Sequence, residues 1–241
     1  MHASTLRIEP IATHTVLKCI FHGAAGLTAL SLGLAVAGHY FGRDIALGGH
    51  SEDATLQEIV IGNDVLDLPA NMIRFRKQRQ SGVAGRVDIY LRWPDMQGYE
   101  PKFWADFNSA EAEKRILFAA FEPRVDAYDM SGRYGPVYSR LTSGPGAKGP
   151  AGLTIQPFLT ESEFVNEELV VGPEQAGKAP FVARCLDAAT SRNNRASCQR
   201  DVFVGKTLQL TYRFPREMLK DWREIDAQMQ DFASTHIKSA E

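Results

Sequence analysis

The chain has 241 residues, of which 44% are hydrophobic and 23% charged, with 27 Lys and Arg against 29 Asp and Glu. A balance this close to neutral gives no overall basic field of the kind nucleic acid selects, so nucleic-acid binding is disfavoured. The 199 residues beyond Gly42 suit one well-buried domain better than two small ones.

Residues 1–18 read as a short cytoplasmic tail holding Arg7, His14 and Lys18. Residues 19–42 then carry no Asp, Glu, Lys or Arg. Roughly 20 mainly apolar residues in a helix cross a bilayer's hydrocarbon core, so this segment predicts a transmembrane signal anchor. Arg7 and Lys18 precede it, whereas Arg43 follows in company with Asp44, Glu52 and Asp53, which favours a cytoplasmic N-terminus. The competing reading is a cleaved signal peptide with Ala35-Val36-Ala37 as its cleavage site, which would release a soluble secreted factor. Ala25, Ala29, Gly33 and Ala37 recur every four residues, a face along which a second transmembrane helix, from a partner or a second copy, could approach closely.

Residues 43–55, rich in Gly, His, Ser and acids, read as a juxtamembrane linker, and residues 56–236 as an α+β domain. Residues 56–61 and 65–68 are expected to form a hairpin about Gly62-Asn63-Asp64. Between them and the next strand lies the densest basic cluster, Arg74, Arg76, Lys77 and Arg79. If Ile73 and Phe75 point inward along a strand, Arg74 and Arg76 share its outer face and could meet a phosphate or carboxylate, with Arg79 close by; a solvated face paired with local acids is the plainer account. In residues 86–93, Val87, Ile89, Leu91 and Trp93 alternate with polar residues, the period of a half-buried strand.

Residues 115–121 form the next predicted strand, followed by weaker ones at 137–141 and 153–158 that flank a Gly/Pro-rich crossing at 143–152 with no regular element of its own. Cys185 and Cys198 are expected to form a disulfide at the base of a polar loop, worth about 3 kcal/mol on a chain-entropy account and durable only in an oxidising compartment. Residues 201–204 and 207–214 predict a second hairpin around a two-residue Gly205-Lys206 turn. After Pro215, the spacing of Met218, Leu219, Trp222, Ile225, Met229 and Phe232 predicts an amphipathic helix over 216–234 that closes on the sheet, with 237–241 as a tail.

Catalytic motifs are scarce. Residues 172–178 match GxxxxGK, but Ala179 stands where a magnesium-binding hydroxyl belongs and Pro180 would break the phosphate-cradling helix. His50 and His236 fall in expected tails, which leaves no supported base for a nucleophile. His50, Glu52 and Asp53 match no known metal spacing, and neither a metal nor a cofactor is expected. Carboxylates for glycan hydrolysis could be drawn from Asp126, Asp129, Glu161 or Glu163, and that keeps an envelope hydrolase as the alternative to a binding protein.

Residues 68–75 (Leu-Pro-Ala-Asn-Met-Ile-Arg-Phe), 92–95 (Arg-Trp-Pro-Asp) and 210–214 (Leu-Thr-Tyr-Arg-Phe), behind one N-terminal apolar segment, resemble membrane-anchored envelope proteins of alphaproteobacteria. The resemblance implies location alone. The expected protein is therefore a single-pass inner-membrane protein whose periplasmic domain binds an envelope component, with the lipid bilayer as its other partner.

Overall fold

The computed structural model describes residues 13–109, 115–173 and 179–238, and the chain divides into two compact units, Met1–Gly48 and Gly49–Glu241. Among its described residues the first holds one helix, α1 (Thr13–Ala46). Within it His14–His39 is long and apolar enough to cross a membrane, with a mean hydropathy of 1.7. The helix outruns the expected 19–42 at both ends, because the apolar run marks only the stretch that suits hydrocarbon, whereas backbone hydrogen bonding continues into the polar flanks. Its polar side chains bond to their own backbone: His22 Nδ1 to the Lys18 carbonyl at 2.7 Å, Thr28 Oγ1 to Ala24 at 2.9 Å. Ala35, Val36 and Ala37 lie within this unbroken helix.

The second unit is α+β, as its sequence pattern predicts. Its strands are β1 (Leu56–Ile61), β2 (Asp64–Pro69), β3 (Gly82–Val83), β4 (Val87–Arg92), β5 (Ile116–Pro123), β6 (Ala147–Lys148), β7 (Thr154–Pro157), β8 (Glu167–Val171), β9 (Val182–Leu186), β10 (Cys198–Val204), β11 (Leu208–Phe214) and β12 (Ile237–Lys238). The helices are α2 (Trp104–Asn108), a single turn α3 (Ser139–Leu141) and α4 (Trp222–His236). One sheet has the order β12-β2-β1-β3, and the other, of eight strands, β4-β5-β11-β10-β9-β8-β7-β6.

Period-two alternation decides what each face of the large sheet carries. Val87, Ile89 and Leu91 of β4 and Leu208, Leu210, Tyr212 and Phe214 of β11 share one buried cluster with Ile59, Ile61, Leu66 and Leu68 of the small sheet and Trp222, Ile225, Met229 and Phe232 of α4. Residues of opposite parity in β8 and β9, Leu169, Val171 and Val182, belong to a separate cluster with Met130, Tyr138 and Phe158. That second cluster explains one correction. Residues 137–141 are not a strand but a π-helical turn (Tyr134–Tyr138) leading into α3, because Tyr134, Tyr138 and Leu141, at helical spacing, are the residues that pack while Val137 is exposed. The Gly/Pro-rich crossing likewise contains a regular piece, β6, paired with β7.

The second hairpin turns through three residues, not two, since Val204 pairs with Leu208. The cause lies in the first hairpin. Asp64, buried at its turn, accepts hydrogen bonds from the Lys206 N–H (2.7 Å), the Thr207 N–H (2.8 Å) and the Thr207 hydroxyl (2.7 Å), so one carboxylate organises the other turn. Burial works against its charge, yet these bonds hold its pKa below the ordinary carboxylate value. Gly205 has φ +55°, and a Cβ there would sit 2.4 Å from Asp64 Oδ1. Asp64→Ala is expected to cost about 1–3 kcal/mol, because it strands buried donors, read as a lower urea midpoint with unchanged slope.

Candidate functional site

The face of the large sheet opposite the main core is covered at one end by the Met130–Phe158 cluster and at the other by α2 and its neighbours, and is open in between. Register lays out the open floor. Across β4, β5, β11 and β10 run the rows Asp88–Ala120–Thr211–Asp201 and Tyr90–Phe118–Arg213–Gln199. Glu122 pairs with Gln209 in the row beyond. Of these rows Asp88, Ala120, Thr211, Phe118, Arg213 and Gln199 line a trough of 230 Å³, whereas Tyr90 and Asp201 are buried outside it.

Arg74 lines this trough, its guanidinium carbon 4.7 Å from the Phe118 ring centre and 5.1 Å from that of Phe75. Arg213 is exposed beside Phe118. Arg86 is committed to Asp88 at 2.9 Å and Glu122 at 2.7 Å. Burial would raise the Asp88 pKa, but Arg86, Gln78 and the charge of Arg74 hold it below its ordinary value, so the carboxylate is ionised. Among the described residues no carboxylate forms an ion pair with Arg74 or Arg213.

The expected strand through residues 73–76 does not form, so Arg74 and Arg76 do not share a strand face. Ile73 is buried and bridges Ile89, but the chain then enters a 3-10 turn, Arg76–Gln78, and Phe75 is exposed. Two side chains impose this turn. Gln78 brackets Asp88, accepting its N–H at 3.0 Å and donating to its carboxylate at 3.0 Å. Arg79 folds back onto the carbonyls of Ile73, Arg74 and Gly49 at 2.8–2.9 Å. Of the three arginines singled out from sequence, Arg74 lines the trough, Arg76 opens the turn and Arg79 fastens the backbone.

His50, read from sequence as part of a solvated linker, packs into the domain. Its ring stacks on Tyr99 at 4.6 Å, meets Tyr90 and Phe107 edge-on, and its Nδ1 lies 3.0 Å from the Tyr90 hydroxyl. Burial, helped by the charges of Arg79 and Arg74 and opposed by a hydrogen bond to Asn108, lowers its pKa. Burial also pushes the Tyr90 phenol up to about 12, so it stays a neutral hydrogen-bonding partner. The signal missed in the sequence was the aromatic-rich stretch through Tyr99, Phe103, Trp104 and Phe107, which needs apolar surface to cover. A histidine with a depressed folded pKa favours the fold when neutral. Its contribution is complete above the unfolded value of about 6.5 and declines as pH falls below that. His50→Phe is expected to flatten the loss of melting temperature between neutral and mildly acidic pH relative to the parent.

Most of the remaining candidates are tied into the fold. Cys185 and Cys198 are disulfide-bonded, directly opposite each other in β9 and β10 and both buried, as their spacing suggests. Asp126 pairs with Arg133, and Asp129 Oδ1 accepts the Gly132 N–H at 2.9 Å. Glu161 and Glu163 are exposed. A larger cleft of 610 Å³ brings Asp129 near Asp226, but Asp226 is held by Arg200 at 2.8 Å and the Tyr212 hydroxyl at 2.7 Å. Asp53 accepts the Thr55 N–H. Among the described residues no three His, Cys, Asp or Glu side chains gather as a metal site.

In the GxxxxGK match, residues 174–178 lie outside the described residues; Gly172 bonds the Phe181 carbonyl, and a Cβ there would come within 2.9 Å of Phe181 and 3.2 Å of Trp222, so close packing accounts for that glycine. Ala25, Ala29, Gly33 and Ala37 form an exposed stripe along α1.

No protein-family model matches the chain, and no curated protein matches it in sequence. Among solved structures it is similar to Smlt3025, an immunity protein of the Stenotrophomonas maltophilia type IV secretion system, with a TM-score of 0.52 at 14% identity over 79% of this chain and 96% of that one. A second likeness is to the iron-regulated outer membrane lipoprotein FrpD of Neisseria meningitidis, with a TM-score of 0.46 at 6% identity over 78% and 94% of the two chains. At 14% identity the property shared with Smlt3025 is the fold.

Proposed function

We propose that the protein is a single-pass inner-membrane protein, of the kind anchored in the envelope of alphaproteobacteria, whose domain projects into the periplasm and binds an envelope component through the open face of its large sheet. The observation that carries this reading is the combination, in one chain, of an apolar span near the N-terminus and a separate compact domain holding a buried disulfide. A bilayer suits the first, and an oxidising compartment the second. Arg7 and Lys18 ahead of the span support a cytoplasmic N-terminus. A binding role is supported by the site itself. The carboxylates that could have served hydrolysis are tied to the fold or lie apart on the surface, whereas the sheet presents cationic and amide groups on a rigid floor. That an immunity protein shares the fold supports binding by analogy only.

Photo-cross-linking in intact cells tests the reading. A photoreactive residue in place of Gln199 is expected to give a discrete adduct that the same residue at Val125, highly exposed and away from the trough, does not. Equal labelling from both positions would contradict it.

A further inference from the structure

We propose that the trough takes the carboxylate of an aspartate or glutamate presented by a protein partner; this rests on the binding role proposed above. The charges in the trough are arranged, not merely positive. At one end Arg74 and Arg213 lie beside Phe118, Arg213 as its cross-strand partner and Arg74, from the segment ahead of β3, with its guanidinium carbon 4.7 Å from the ring centre. A guanidinium held beside aromatic rings by cation–π attraction loses less freedom when it meets a carboxylate, the group its fork fits best. Neither arginine has a carboxylate ion-pair partner among the described residues.

Beyond it Arg86 sits between Asp88 and Glu122, so that part of the trough is acidic in balance even though the charge of Arg74 also reaches Asp88. A polyanionic surface, such as a charged lipid leaflet or an acidic polysaccharide, would cover both ends and meet repulsion from these two carboxylates. One carboxylate seated at the Arg74–Arg213 end would not. The floor supplies further contacts for a peptide, the Gln199 amide and the half-buried ring of Phe118, around a Gln209–Thr211 pair that is bonded side chain to side chain at 3.2 Å. Its volume of 230 Å³ matches one or two side chains rather than a headgroup with its chains. The domain is slightly acidic overall, so two arginines without acid partners on one sheet face run against its composition.

Selection of random phage-displayed peptides on the full chain in nanodiscs of zwitterionic lipid tests this. Enriched sequences are expected to carry Asp or Glu. A synthetic representative should bind less tightly as salt rises, and about tenfold or more less tightly to the Arg74→Gln/Arg213→Gln chain. Both arginines are exposed and anchor no buried group through their side chains, so this variant should keep its fold, checked by its circular dichroism. Thr211→Tyr, which fills the floor, should abolish binding. Peptides without acids, no enrichment, or equal affinity for the double arginine variant would each overturn the inference. If Thr211→Tyr still abolishes binding in that last case, the open face survives as a binding site and only the partner's chemistry is wrong. Vesicles of phosphatidylglycerol that bind the parent and not the double variant would overturn it in favour of a lipid.

Discussion

Asp226→Ala is expected to destabilise the globular domain by about 3–5 kcal/mol, among the largest effects of any single substitution outside the apolar core. Asp226 on α4 accepts from Arg200 Nε at 2.8 Å and from the Tyr212 hydroxyl at 2.7 Å. Arg200 lies on the core side of β10, in step with Cys198 and Val202, and is only 5% exposed. Its other donors reach Ser131 Oγ at 2.8 Å and the Val182 carbonyl at 2.9 Å, and its guanidinium covers the Phe181 ring at 4.7 Å. Removing the carboxylate leaves a buried cation without its counter-charge, and the desolvation cost of that cation then falls on the fold. The double variant Arg200→Met/Asp226→Leu should recover much of the loss, since replacing both partners by apolar groups removes the desolvation cost along with the attraction. Urea denaturation of the three proteins decides it. A single-variant loss below about 1 kcal/mol would mean that water reaches the guanidinium and that the pair does not hold α4 to the sheet.

Loss of the disulfide is the second large effect. Cys185 and Cys198, separated by 13 in sequence, join β9 to β10 across the polar loop between them. On the chain-entropy account a closure of this size is worth about 3 kcal/mol. Cys185→Ala/Cys198→Ala should lower the urea midpoint accordingly, and the parent in reductant should fall to a comparable value while the variant ignores reductant. A parent that keeps its full stability when reduced would remove the link between this bond and an oxidising compartment.

The strands at residues 56–61, 86–93, 115–121 and 207–214, the disulfide and the closing helix are readable from sequence because each rests on a local pattern, such as alternation in residues 86–93, two cysteines bracketing a polar loop, and apolar residues three and four apart after Pro215. What was not readable rests on pairs far apart in the chain. Arg200 sits at a core-facing position, where alternation expects an apolar residue, and only its partner on α4 makes it admissible. Asp64 sets the turn of a hairpin more than a hundred residues away, so the Gly205-Lys206 pattern alone suggested a turn one residue too short. His50 looked like linker because its partners, Tyr90, Tyr99 and Phe107, are contributed by two later segments. Of the basic cluster, density in sequence singled out three arginines. The trough instead draws on Arg74 together with Arg213, whose proximity is a matter of strand register.

Protease protection in a Gram-negative host tests the central claim, an anchored chain with its domain outside the cytoplasm, most directly. The full-length chain should sediment with membranes and resist alkaline extraction. Added protease should leave it intact in whole cells and remove the domain once the outer membrane is opened, sparing a short N-terminal fragment that contains α1. A domain that stays protected until the inner membrane is lysed, or a soluble product beginning at Gly38, would contradict it.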